Sequence, residues 1–233
     1  MKKVGVVAGI LLVLLIGSAL VVPSFINWNE YKTEIETTAS NLSDRKVVIN
    51  GDLSLSILPS PSFSAKDVSV SNVEGGQATN FIALKSVDVN VAFFPLLSGE
   101  VQVKKFILVE PVVALEIDAD GKGNWEFGAQ SDTPESEGGY TDLSFEQFQI
   151  ENGQLSYQDF SNRTQELVRS INASVTMDSL QGPFDITGNA RYKNLPVSTE
   201  LMIGTIREGR KIPIGLKAGL LDNDVRIEFT GGF

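Results

Sequence analysis

The 233-residue chain contains no cysteine and no histidine. Without cysteine there are no disulfide staples and no thiolate metal sites. Without histidine, the usual general base at neutral pH is missing, as are Ser/His and Cys/His pairs and imidazole metal ligands. Basic residues are also few: 19 Lys and Arg stand against 29 Asp and Glu, a net charge of −10. Lys2 and Lys3 precede every acid, and leaving them out takes the remainder to −12. Such a surface repels phosphate backbones, which argues against nucleic acid as a partner. Gly-rich phosphate loops are absent. Two carboxylate pairs, Asp118 with Asp120 and Asp222 with Asp224, have the composition a glycosidase uses, but both sit beside turn residues and read as solvated. Asp118 to Asn124 has a calcium-loop look, yet Lys122 stands where an oxygen ligand is needed and Ala129 where a glutamate is needed. It reads as a hairpin turn. The expectation is a protein that is not an enzyme and carries no cofactor or metal.

What the chain does have is a long apolar start. Val4 to Val22 is free of charge and holds thirteen Val, Ile or Leu residues. As a helix it is about 28 Å long, close to the hydrocarbon thickness of a bilayer. Lys2 and Lys3 set an N-in orientation and place everything after Pro23 outside the cytoplasm. A cleaved signal peptide is the alternative, with Gly17-Ser18-Ala19 as the cleavage site, and it exports the same remainder. The expected organisation is a transmembrane anchor over 1–23 and a short amphipathic helix over 24–45. In that helix Asn27 caps, Glu30 partners the cap, and Trp28, Tyr31, Ile35 and Leu42 recur at helical spacing. Trp28 and Tyr31 are the candidate membrane-interface residues, at headgroup level. An ordinary helix packed on a sheet reads equally well.

From about Lys46 the period changes to two. Leu53, Leu55 and Ile57 alternate with polar residues, as do Val87, Val89, Val91 and Phe93, and Val113, Leu115 and Ile117. Turn signals separate these runs, and short connections predict antiparallel pairing. No helix is expected after about residue 45. A polar stretch rich in Gly, Ser and acids, 128–140, reads as a flexible loop between a first β region (46–127) and a second (141–233). One strand pattern recurs. Phe145-x-x-Phe148-x-Ile150-x-Asn152-Gly153-x-Leu155-x-Tyr157 matches Val103-x-x-Phe106-x-Leu108-x-Glu110-Pro111-x-Val113-x-Leu115. Ala65-x-x-Val68-x-Val70-x-Asn72 is a shorter copy. Each breaks at a Gly, Pro or Asn and resumes its alternation, as a bulge or sharp turn would.

A set of pieces in a fixed order carries a family resemblance. After the apolar start come Trp28-x-x-Tyr31-Lys32, Arg45-Lys46-Val47-Val48-Ile49-Asn50-Gly51-Asp52-Leu53, Pro59-x-Pro61 and Val68-Ser69-Val70-Ser71-Asn72. Then follow Phe93-x-Pro95-Leu96-Leu97-Ser98-Gly99-Glu100-Val101, Leu108-Val109-Glu110-Pro111, Gly123-Asn124-Trp125-x-Phe127 and Ile150-x-Asn152-Gly153-x-Leu155-x-Tyr157-x-Asp159. In this order the chain resembles the N-terminal region of the AsmA family, from the anchor to about residue 160 and more loosely beyond. Ser43-Asp44-Arg45 departs from the family's usual Thr-Gly-Arg. Family members run far longer, which implies a fragment truncated at its C-terminus.

The resemblance implies a mainly β fold in which a long, curved antiparallel sheet forms a taco-like groove, similar to bridge-like lipid-transfer proteins. It implies an inner-membrane location with the bulk in the periplasm, and a role in phospholipid traffic or outer-membrane homeostasis. The implied partners are phospholipid, the inner membrane and other envelope proteins. Alternation gives each strand one apolar face. The candidate lipid-contacting residues on that face are Val87, Val89, Val91, Phe93, Val113, Leu115, Ile117, Leu155 and Tyr157. The same alternation fits a filled core, as in a β-sandwich, and a structural or assembly factor without lipid conduction.

Overall fold

The computed structural model describes residues 26–57, 60–98, 102–126, 145–177, 179, 181–206, 212–220 and 226–232. The expected anchor (1–23) and loop (128–140) lie outside them. Among the described residues no helix is long and apolar enough to cross a membrane.

A 3-10 turn (Trp28–Tyr31) leads into helix α1 (Lys32–Ser43). Asn27 caps the turn, its side chain accepting from the Asn29 amide at 3.3 Å and donating to Glu30 Oε1 at 3.4 Å. Twelve strands follow: β1 (Val47–Ile49), β2 (Leu53–Ser56), β3 (Ser62–Ser71), β4 (Asn80–Val91), β5 (Val103–Val109), β6 (Val112–Ile117), β7 (Phe145–Asp159), β8 (Thr164–Met177), β9 (Phe184–Tyr192), β10 (Leu195–Ile203), β11 (Pro213–Leu220) and β12 (Arg226–Gly232). They form one sheet in the order β1-β3-β4-β5-β7-β8-β9-β10-β11-β12. β2 prolongs β1 alongside β3, and β6 prolongs β5 between β4 and β7.

The sheet is mixed, which corrects the all-antiparallel expectation. β7 runs parallel to both β5 and β6. The reason lies in the connections. Hairpins join most sequence neighbours, but β6 ends at Ile117 and β7 starts at Phe145, leaving a connection long enough to return the chain to its starting end. The repeated pattern has the same origin. Val103 pairs with Phe145, Phe106 with Phe148, Val113 with Leu155 and Leu115 with Tyr157, a constant offset of 42 residues. The two copies are parallel neighbours in register, and Phe106 stacks on Phe148 with centroids 5.7 Å apart.

A second correction concerns residue 93. β4 stops at Val91, and Phe93–Leu97 forms a short helix, α2, so Phe93 does not continue the alternation. Ala92, extended and buried, donates to Gln102 O at 2.8 Å and closes the base of this turn. Pro95 fits within the first helical turn, where its missing N–H costs nothing.

The breaks in the three repeats are residues with left-handed backbone, Asp67 (φ 48°) in β3, Glu110 (φ 48°) between β5 and β6 and Asn152 (φ 52°) in β7, and Ser170 (φ 51°) in the neighbouring β8 shares that conformation. Neighbouring pairs place them in a row across the sheet, with Asn50-Gly51 at the first edge. The shorter copy therefore breaks at Asp67 rather than Asn72. Across this row the apolar positions change parity, from Phe63 and Ala65 to Val68 and Val70 in β3. Both sets nevertheless meet one cluster: Ile49, Leu53 and Ala65 are its buried centre, with Phe63, Val68, Val87, Trp28 and Ile35 packed against it. The left-handed residue thus keeps the apolar side chains on one face where strict alternation would swap them.

Candidate functional site

The register assembles the apolar face into rows perpendicular to the strands. One row passes from Leu55 to Phe63, Val89, Phe106 and Phe148. It goes on through Val175, Ile186, Leu201 and Leu216 to Phe229. Every member opposes the next directly, on ten strands, so at about 4.8 Å per strand the row is roughly 43 Å long. A second row lies beyond the left-handed residues: Val47, Val70, Ile82, Val113, Leu155, Val168, Tyr192 and Leu195. The row one residue over from the first is polar at most strands, for example Gln149, Ser174, Thr187, Glu200 and Lys217. Each strand therefore separates an apolar from a polar face.

Burial along the apolar face is uneven. Among the described residues the buried hydrophobic side chains are Val47, Ile49, Leu53, Ala65, Ala92 and Val103, all before β7. None of these belongs to the first row, whose members are half-buried on both sides of β7: Leu55, Phe63, Val89 and Phe106 as well as Phe148, Val175, Ile186, Leu201 and Leu216. A sandwich core would bury such residues fully. This face has no such cover among the described residues.

The first edge of the sheet is closed. Three outward amides of β1 and β2 find acceptors on the helical segment: Ile49 N–H donates to Glu36 Oε1 (2.6 Å), Val47 N–H to Ser40 Oγ (2.8 Å) and Leu53 N–H to Asn29 Oδ1 (2.9 Å). Side chains of the 3-10 turn and of α1 thus replace the missing neighbour strand, which removes an edge otherwise open to pairing. Trp28 contributes to the packed cluster, while Tyr31, its ring 5.6 Å away, faces outward with Leu42.

The proposed contacts divide in this frame. Val87 and Val89 lie on the face beside Ala65 and Phe63, and Val113 and Leu155 oppose each other in the second row. Val91 opposes Val103 at the end of β4. Leu115 opposes Tyr157, and Ile117 opposes Asp159, at the other end of the strands. Phe93 is in α2, off the sheet. Sequence reasoning missed Phe106, Phe148, Val175, Ile186, Leu201 and Leu216. Their alternation was visible, but their membership of one row needed the register.

A second set, also unforeseen, explains the Gly123-Asn124-Trp125 piece. The Glu116 carboxylate is 5% exposed and accepts from Asn72 Nδ2 (2.9 Å), Gln77 N (2.9 Å) and Ala78 N (2.8 Å). Asn124, 2% exposed, donates to Asn72 Oδ1 and Ala114 O, both at 2.8 Å, and accepts from the Glu116 amide at 3.0 Å. Arg45 Nη2 donates to Asn124 O at 2.6 Å and its guanidinium lies over the Phe81 ring. These bonds clasp one end of β1, β4 and β6 together. Asp118 Oδ1 accepts from the Asp120 and Lys122 amides, each at 2.9 Å, the pattern of an Asx turn, as the hairpin reading expects.

Several of the family's pieces, among them Asn50-Gly51, Glu110-Pro111 and Gly123-Asn124, thus fall at the closed edge, at the left-handed row and in this clasp. A model of the AsmA family matches residues 1–224. The chain belongs to the AsmA family. No curated protein matches this AsmA chain.

Proposed function

We propose that this AsmA-family chain is a lipid-binding and lipid-transfer protein, held in the bacterial inner membrane by residues 1–23. Its N-terminus is cytoplasmic and its bulk periplasmic, where it serves phospholipid traffic to the outer membrane. The observation that carries this reading is the apolar row across ten strands, half-buried from β2 to β11 and faced by no described element from β7 onward. Burying a methylene stabilises by roughly 0.8 kcal/mol, so an acyl chain laid along such a row loses little on leaving a bilayer. The row exceeds the roughly 30 Å of a bilayer's hydrocarbon, room enough for an acyl chain lengthwise. Curling of the sheet into a groove would shield the chain while headgroups stay in water. The protein needs no enzymatic chemistry for this.

The test is lipid mass spectrometry on the portion from Ser24 onward, purified without detergent. Co-purifying phospholipid that is lost on Ile186→Asp with Leu201→Asp, in a folded protein, supports the reading. A folded, lipid-free domain contradicts it. The second reading, an assembly factor for outer-membrane proteins, draws on Phe94, 80% exposed at the tip of the α2 turn. It predicts that Phe94→Ser releases a protein partner and leaves lipid content unchanged.

A further inference from the structure

Arg169 in β8 and Arg191 in β9 are directly opposed partners in an antiparallel pair. Opposed side chains have their Cβ atoms about 4.5–5.5 Å apart, and like charges there destabilise the pair. Both arginines are exposed, and no carboxylate forms an ion pair with either among the described residues. On its other side Arg191 faces Pro196, which carries no charge. This happens in a chain with ten more acids than bases, where a neutralising partner would be easy to supply.

The two arginines line a depression of about 420 Å³ together with Glu166, Leu167, Ser170 and Lys193. Glu166 is the one acid lining it, and its carboxylate is already engaged, by Tyr192 OH, which donates to Oε2 at 2.8 Å, and by Lys193 Nζ, 3.2 Å from Oε1, so the two charges offset each other and leave the arginines unpaired by either. Ser170 has a left-handed backbone (φ 51°), which breaks the ladder between the opposed arginines and the Asn172–Asn189 pair.

We propose that Arg169 and Arg191 form a binding site for a phosphate group. Two guanidinium forks at this spacing can each offer paired N–H donors to one tetrahedral anion, the geometry in which arginine binds phosphate most strongly. The bound anion would replace repulsion between the strands by two attractions. The chemistry is that of a phosphate monoester or diester, supplied either by free phosphate or by a phospholipid headgroup at the rim of the sheet. The site lies on the polar face, since the neighbouring pair Val168–Tyr192 belongs to the apolar row, so it stands or falls independently of lipid on that face.

The experiment uses the full chain in a phosphate-free, non-ionic detergent, titrated separately with inorganic phosphate and with dihexanoyl phosphatidylglycerol and followed by ³¹P line width. The expected result is saturable binding of at least one probe, weakened roughly tenfold or more by Arg169→Gln with Arg191→Gln and unaffected by Lys104→Gln. Arg191→Lys, which keeps the charge and loses the fork, should fall between. Phosphate alone marks free phosphate as the source, and preference for the lipid marks the headgroup. The bound probe should also raise the melting temperature of the wild type and not that of the double variant. Absence of binding by both probes, or binding that survives in the double variant, overturns the site.

Discussion

At its first edge the sheet closes over a small core: Ile49, Leu53 and Ala65 are 5%, 4% and 2% exposed beneath Trp28 and Ile35. From β7 to β11 the same alternation, in strands equally regular, leaves Ile186, Leu201 and Leu216 half-exposed. The difference is not in the strands. It lies in what faces them: a helical segment supplies apolar side chains to one end, and no described element does so at the other. An apolar strand face is therefore core or open surface according to its cover, and one sheet can hold both.

The largest effect separating the two regions should come from truncation. Leu53→Ala in the packed end should cost about 2–4 kcal/mol, whereas Leu201→Ala in the open half should cost about 1 kcal/mol, because a half-buried side chain loses only part of its burial and leaves no enclosed cavity. Urea midpoints of the two variants measure this, and equal losses would break the comparison. Next comes the clasp. Glu116→Ala removes the acceptor of three donors and should cost about 2–3 kcal/mol, read from the same denaturation curves. Smaller is a backbone contrast. A Cβ on Gly51 would meet Lys66 Cβ at 2.6 Å and its carbonyl carbon at 2.8 Å, while one on Gly215 meets only the flexible tip of Met202 at 3.3 Å. Gly51→Ala should lower stability by about 1–3 kcal/mol and Gly215→Ala should be close to neutral.

The smallest effect is one of pH. The Asp159 carboxyl is held below its ordinary value of 3.8, chiefly by the Ser161 hydroxyl at 2.6 Å and further by the Ser161 amide and Asn162, against a burial effect that raises it. A carboxyl lowered on folding contributes stability that is present above the unfolded value and is lost as pH falls through the folded one. Asp159→Asn should therefore flatten the acid side of the stability profile below about pH 4 and leave the neutral side's slope unchanged, as a series of melting curves would show.

Much of the architecture was legible from the chain, because period-two alternation and turn residues mark strands whatever their neighbours are. The family was legible as well, from pieces such as Asn50-Gly51, Glu110-Pro111 and Gly123-Asn124-Trp125, each now seen at a point that fixes geometry. Pairing direction was read correctly except at β7, which lies parallel to β5 and β6. The repeat between Val103–Leu115 and Phe145–Tyr157 held the answer: copies joined by a long connection can lie side by side in parallel. Phe93 misled because Val-x-Val-x-Val-x-Phe keeps its alternation past the end of the hydrogen-bonded ladder. The rows were out of reach because a row joins residues from ten strands, and only register says which of them meet.

Contact between lipid and the open half of the apolar face can be read by photo-crosslinking from single positions. A benzophenone side chain placed at Leu201, at Glu200 or at Ile49 in the full chain would be irradiated in membranes and the adducts identified by mass. Phospholipid adducts are expected at position 201, with few at 200 on the polar face and few at 49 in the closed end. Equal labelling at 200 and 201, or none at 201 in a folded protein, would contradict that contact.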